Sequence, residues 1–256
     1  RSLLLGGLLV LLVLVWGVMR SQDHQLPKWL ITASREELVQ YVNAHPEQTD
    51  ATAELAHRYL LAGSTTEANS LIEQALKVSP YSPSALRVRG DVQFALHQLT
   101  IAERDYRKSL SLQDDTRTRL ALARTLIPLQ RYAEISDLCA PVIALGSSSD
   151  ISAEQRAQAL VYTAGGKLYS PLTPQELSTL QAQLKEADSL SNALPREERF
   201  LPPYFLGESY LRLAQPKEAI PYLEKSTALA PTFAGSLYSL SRAYRLSGDT
   251  VKADTT

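Results

Sequence analysis

The side chains with reactive potential in this chain are few: His24, His45, His57 and His97, the single Cys139, and Lys167 behind two glycines. A zinc hydrolase needs two imidazoles one helical turn apart around a carboxylate, and no HExxH or other ligand spacing links these four histidines. Cys139 has no CxxC partner for redox exchange and no CxxCH sequence for haem attachment. It falls on the inward stripe of a helix, where a buried inert thiol is favoured over a nucleophile. Ala164-Gly165-Gly166-Lys167 has some likeness to a phosphate loop, but GxxxxGK[ST] is not satisfied and the segment reads as helix. Arg196-Glu197-Glu198-Arg199 and Asp114-Asp115 read as solvated loop or cap residues. The expectation is therefore no catalysis, no metal and no cofactor.

Bulk composition narrows the classes further. The chain has 256 residues, 45% hydrophobic and 21% charged, an ordinary globular balance. With 26 Lys plus Arg against 27 Asp plus Glu, the net charge of −1 gives no general reason to expect nucleic acid or acidic lipid as a partner. One cysteine forbids an internal disulfide, so packing alone must hold the fold. Ser2–Met19 contains no charge in 18 residues, and as a helix would cover ~27 Å, close to a bilayer core. Trp16 lies near its end, and Arg1 and Arg20 bracket it. Trp16-Gly17-Val18-Met19-Arg20 has no small-x-small site, which favours a retained anchor over a cleaved signal peptide. Residues 1–20 are thus expected to span a membrane, with lipid contact through 2–19. A short basic N-terminal tail stays cytoplasmic as a rule, which puts the rest of the chain on the far side, the periplasm of a bacterium. The start at Arg1 and the stop within a repeat suggest a piece of a longer protein.

The elements that must position any site recur with a long period. Small residues stand at Ala56, Gly90, Ala123, Gly207 and Ser241, and twelve residues after each stands Ala68, Ala102, Ile135, Ala219 or Ala253. The steps in both columns are 34, 33, 84 and 34. Two antiparallel helices cross closely only where side chains are small, and one pair cannot bury its faces alone. Residues 21–33 read as a juxtamembrane linker. The capping box Ser34/Glu37 opens a helix to about Ala44, within a capping segment 34–48. Three units fill 49–149, and two more, the last incomplete, fill 200–256. The step of 84 is two periods plus 16, read as one divergent, elongated unit over 150–199. Its helices are placed at about Ser152–Tyr169 and Pro174–Ala193. Gly165-Gly166 is either a close approach or a tolerated weak spot, the second being preferred. The unfinished last unit should leave an apolar edge open at Ala253.

The Leu-(Gly/Ala)-x-x-Tyr block, the alanine twelve residues after the small one, and Pro80 and Pro231 after second helices resemble the tetratricopeptide repeat family. The resemblance is closest over 49–82, 200–233 and 234–256. In 83–149 Arg89, Gln93 and Ile135 depart from the usual types. It implies an all-α, right-handed solenoid of helix-turn-helix repeats behind one transmembrane helix. It also implies that first helices line a concave, partner-binding groove. On that mapping the groove carries His57, then Arg87, Asp91 and Phe94, then Arg124, then Tyr204 and Glu208, and finally Tyr238, Arg242 and Arg245. Some relatives clamp a carboxylate with paired Lys and Asn. The places that need Asn here hold His57, Asp91 and Arg124, which disfavours that mode.

Two accounts follow. One is a membrane-anchored scaffold that binds another protein to assemble or stabilise a membrane-associated complex. The other is a permanent accessory subunit of a large membrane complex, in electron transfer or secretion for example. An enzyme or small-ligand binder finds no supporting motif.

Overall fold

A computed structural model describes residues 28–146, 148 and 150–256, and all regular elements among them are helical. The expected transmembrane segment, residues 1–20, lies outside the described residues. Among those described, no helix is long and apolar enough to cross a membrane. The chain divides into two compact units between Ala85 and Leu86.

The first unit holds α1 (Lys28–Thr32), α2 (Arg35–Ala44), α3 (Thr49–Leu61) and α4 (Thr65–Val78). At the start of α2 the Glu37 amide donates to Ser34 Oγ at 3.2 Å and the Ser34 amide to Glu37 Oε2 at 2.7 Å. These two bonds satisfy amides that a helix start leaves unpaired. Within the stretch read as linker, Lys28–Thr32 is helical and Leu30 is buried with Leu38, Val42, Ala51 and Leu55. Ala56 on α3 and Ala68 on α4 are both fully buried.

Helix α5 (Pro83–Ala95) spans the division. The second unit continues with α6 (Leu99–Leu112), α7 (Thr116–Leu126), α8 (Ile135–Ala144), α9 (Ala153–Lys167) and α10 (Pro174–Ser189). After α10 come two single 3-10 turns, Ser191–Ala193 and Arg196–Glu198. Then follow α11 (Leu201–Arg212), α12 (Pro216–Leu229), α13 (Ala234–Ser247) and α14 (Thr250–Thr255). Consecutive helices pack pairwise, and the first helices α7, α9, α11 and α13 also touch in succession. One face of the second unit is therefore built from first helices.

The small-residue column is a set of close crossings. A Cβ on Gly90 would lie 2.5 Å from Tyr106 Cε1, and one on Gly207 would overlap Leu223. Gly165 and Gly166 behave alike: a Cβ there would come 2.9 Å from Phe205 Cζ and 3.1 Å from Ile135 Cβ. The weak-spot reading of these glycines is therefore corrected to a close approach. Both are buried, on a helix that packs against α7, α8, α10 and α11.

A second column, seven residues after the first, turns the chain. Gly63, His97, Gln130, Ala214 and Gly248 all have left-handed backbones, with φ of 81°, 58°, 57°, 55° and 93°. The next amide in each case donates to the carbonyl five residues back, at 2.8–3.0 Å, as Ser64 does to Tyr59 and Gln215 to Tyr210. This is a Schellman closure, which satisfies the last carbonyls of the first helix. The divergent unit has no such residue between α9 and α10. Its turn is held by the Thr173/Glu176 capping box, with Pro174 opening α10.

At the C-terminal end Ala253 is buried against α13, and its carbonyl accepts from Ser241 Oγ at 2.8 Å. The edge expected to be open at Ala253 is closed there, and exposure falls on Val251 and Leu246.

Two substitutions separate the crossing constraint from the turn constraint. Gly207→Ala should destabilise the fold by about 1–3 kcal/mol through overpacking against Leu223. Ala214→Gly should stabilise it by about 0.5–1 kcal/mol, because relief of a left-handed alanine exceeds the added freedom of the unfolded chain. Urea unfolding midpoints measure both.

Candidate partner-binding face

The first-helix face of the second unit is occupied by a line of charged and aromatic groups. On α5, Arg87 Nη1 donates to Asp91 Oδ2 at 2.8 Å, and Tyr106 Oη of α6 donates to Asp91 Oδ1 at 2.8 Å. Arg87 is only 5% exposed. It is part of the internal packing, and the expectation that it faces a partner is corrected. Burial, then the Asp91 carboxylate, raises the Tyr106 phenol well above its ordinary value.

Arg124 on α7 stands next in line. Its guanidinium lies over the Phe94 ring, 4.1 Å from the centroid, and its Nη1 is 3.8 Å from Glu198 Oε1. Glu198 in turn accepts from Tyr162 Oη on α9 at 2.8 and 2.9 Å, and from Gln158 Nε2 at 3.3 Å. The Tyr162 phenol is raised by burial first and by Glu198 second. Glu198 is 7% exposed, so its reading as a solvated loop residue is corrected. Asp115, by contrast, does cap α7, accepting the Thr118 amide at 2.9 Å.

The segment between α10 and α11 puts Glu198 there. Leu194 is buried, and Arg199 clasps the turn, donating to Leu194 O at 3.0 Å and Asn192 O at 2.9 Å. The extra length of the divergent unit thus delivers a carboxylate to the cation of the preceding first helix. No spacing signal in the sequence marked Glu198.

Of the remaining expected residues, His57 is half-buried on α3 of the first unit. Tyr204 and Glu208 are half-buried on α11. Tyr238 is 72% exposed on α13, and Arg242 and Arg245 are exposed on the same helix. The structure gathers Arg87, Asp91, Phe94 and Arg124 into one network and leaves Tyr238, Arg242 and Arg245 open to solvent. Arg89, a departure from the usual repeat type, pairs through two bonds of 2.6 and 2.9 Å with the buried Asp105.

Among the described residues no group of three or more His, Cys, Asp or Glu side chains could hold a metal ion. Cys139 is buried, and burial pushes its thiol up to about 12. At pH 8 it should react with a disulfide reagent only after unfolding, which thiol titration with and without denaturant checks. Tyr162→Phe removes the donor to a buried carboxylate. It should lower stability by about 1–3 kcal/mol in urea unfolding.

The tetratricopeptide repeat family model matches residues 204–233. No curated protein matches the sequence. Among solved structures, pilF of Pseudomonas aeruginosa is similar with a TM-score of 0.61 at 17% identity, over 83% of this chain and 90% of that one. PilW, described as a type IV pilus biogenesis factor, gives 0.62 at 18%, over 81% and 90%. YrrB, described as a repeat protein with an unusual peptide-binding site, gives 0.54 at 15%, over 80% and 98%. At these identities the likeness is one of fold. Residues 204–233 therefore carry a tetratricopeptide repeat, and the chain has the fold of tetratricopeptide-repeat structures.

Proposed function

We propose that this protein is a membrane-anchored scaffold whose first-helix face binds another protein, assembling or stabilising a membrane-associated complex. The observation that carries protein binding is the set of exposed side chains on α13. Tyr238, Arg242 and Arg245 project from one helix without being absorbed into the internal network that holds Arg87 and Asp91. Tyrosine and arginine are the residue types that carry most binding energy at protein interfaces. The fold likeness to a pilus biogenesis factor and to a peptide-binding repeat protein supports an assembly role. Membrane attachment rests on the uncharged run Ser2–Met19. We also propose that the repeats lie outside the cytoplasm, in the periplasm of a bacterial source, following the rule for basic flanks of membrane helices.

Tethering raises the effective concentration of the face near membrane-bound partners, so modest contacts suffice. The second reading, a permanent accessory subunit, is favoured by Gly6-Gly7 and Gly17, small residues that let membrane helices approach one another. Gentle solubilisation followed by native sizing separates the two: constant stoichiometry with a defined assembly indicates the subunit, variable association the scaffold.

The anchor has its own test. The protein should stay in the membrane fraction after alkaline carbonate washing, and deletion of residues 1–20 should release a folded domain. Release of the intact chain by carbonate would refute the anchor. Arg242→Glu with Arg245→Glu should weaken partner association at least about tenfold in co-purification, without changing the melting temperature.

A further inference from the structure

On α11, Tyr204, Glu208 and Arg212 recur every four residues and so share one stripe of the helix. Arg212 ties that stripe to the end of α9: Nη1 donates to Ser170 O at 2.8 Å and Nη2 donates to Leu168 O. Beside these carbonyls is Tyr169, 57% exposed and stacked on Tyr132 with ring centres 3.9 Å apart. Tyr204 is fixed at the other end of the stripe. Its ring meets Phe233 edge-on at 5.2 Å and Phe205 at 5.1 Å. A Cβ on Gly235 would lie 3.3 Å from its hydroxyl.

Glu208 stands between these two tyrosines. Burial, then the Glu208 charge, pushes the Tyr204 phenol up to about 12. Burial, then Tyr132, then Glu208 raise that of Tyr169. Yet Glu208 Oε1 is buried and accepts no hydrogen bond. The carboxylate has no ion pair among the described residues. The nearest cation along the stripe, Arg212, is turned to the carbonyls of residues 168 and 170. A partly buried carboxylate with an empty acceptor is costly unless a donor arrives from outside.

We propose that Glu208, flanked by Tyr204 and Tyr169, receives a lysine or arginine side chain from an extended segment of a protein partner. The inference rests on the first-helix face being the protein-binding surface. An ammonium or guanidinium group supplies the missing donor and neutralises the carboxylate, and tyrosine faces attract the same charge. The carboxylate repels phosphate, so an RNA backbone or an anionic lipid headgroup is the wrong occupant.

The test uses pools of end-capped octapeptides, randomised at the flanks and fixed at the centre as Lys, Arg, norleucine or Glu. Binding to the intact protein is read by fluorescence anisotropy. The Lys and Arg pools should bind about tenfold more tightly than the norleucine pool, and Glu208→Gln should abolish that preference. A photoreactive lysine analogue at the centre should label Tyr204, Glu208 or Tyr169 in the unaltered protein, which makes the result independent of how the variant folds. Equal binding of the Lys and norleucine pools, a preference that survives Glu208→Gln, or no binding by any pool overturns the inference. Equal binding with labelling elsewhere on the first helices removes the cation site and leaves the scaffold reading standing. Labelling confined to second helices removes both.

Discussion

The close crossing of paired helices is the constraint on which the rest of this structure depends. At Gly90 and Gly207 a side chain would overlap Tyr106 and Leu223 of the paired helix, and Gly165 and Gly166 let α9 come close to Phe205 of α11 and Ile135 of α8. Backbones brought this near let the large residues one turn away interdigitate, and dense packing supplies the stability that a disulfide-free chain needs. The left-handed turn follows from the same constraint. A second helix can fold back at this distance only if the chain reverses within two or three residues, and five turns do so with the same closure.

Because the pairs are set by crossings, the exposed stripe of each first helix is free to vary. In the second unit it varies in a physically ordered way. Arg87, Asp91 and Tyr106 satisfy one another, whereas Arg124 relies on a carboxylate carried by a segment some 74 residues further along. Glu198 completes this network only because the divergent unit is long enough to carry it there, where the Tyr162 hydroxyl, within reach of both carboxylate oxygens, orients it. Beyond this stretch the face changes character. Glu208 lacks a donor, and Arg242 and Arg245 are exposed. Charge is paired largely within the chain around Arg87 and Asp91 and stands exposed at Arg242 and Arg245.

The repeat was legible because it is written in residue size. A helix crossing needs Gly or Ala at a fixed position, and such a column survives in sequence even where the other positions drift. The Ser34/Glu37 box was legible for a similar reason, since both of its bonds are local. The turn column was half hidden: Gly63 and Gly248 announce it, but His97, Gln130 and Ala214 do not. The site was less legible still. Arg124 and Arg242 stand in equivalent repeat positions, each one residue after its small residue, and so looked alike, yet Arg124 lies over Phe94 beside Glu198 and Arg242 faces solvent. Arg196-Glu197-Glu198-Arg199 looked like a solvated run because local charge density says nothing about which carboxylate turns inward.

By itself, the amino-acid sequence determined the helix pairs, their period and its interruption, since those depend on side-chain size and on contacts within a few residues. It also determined the uncharged run at 2–19 and the lack of spaced catalytic or metal-ligating groups. Tertiary structure alone decided which charges are compensated. The pairing of Arg89 with Asp105, the seat of Glu198 beside Tyr162, and the empty acceptor of Glu208 each depend on helices meeting across many residues. Electrostatic partners are chosen by distance in space, and no local pattern encodes that distance.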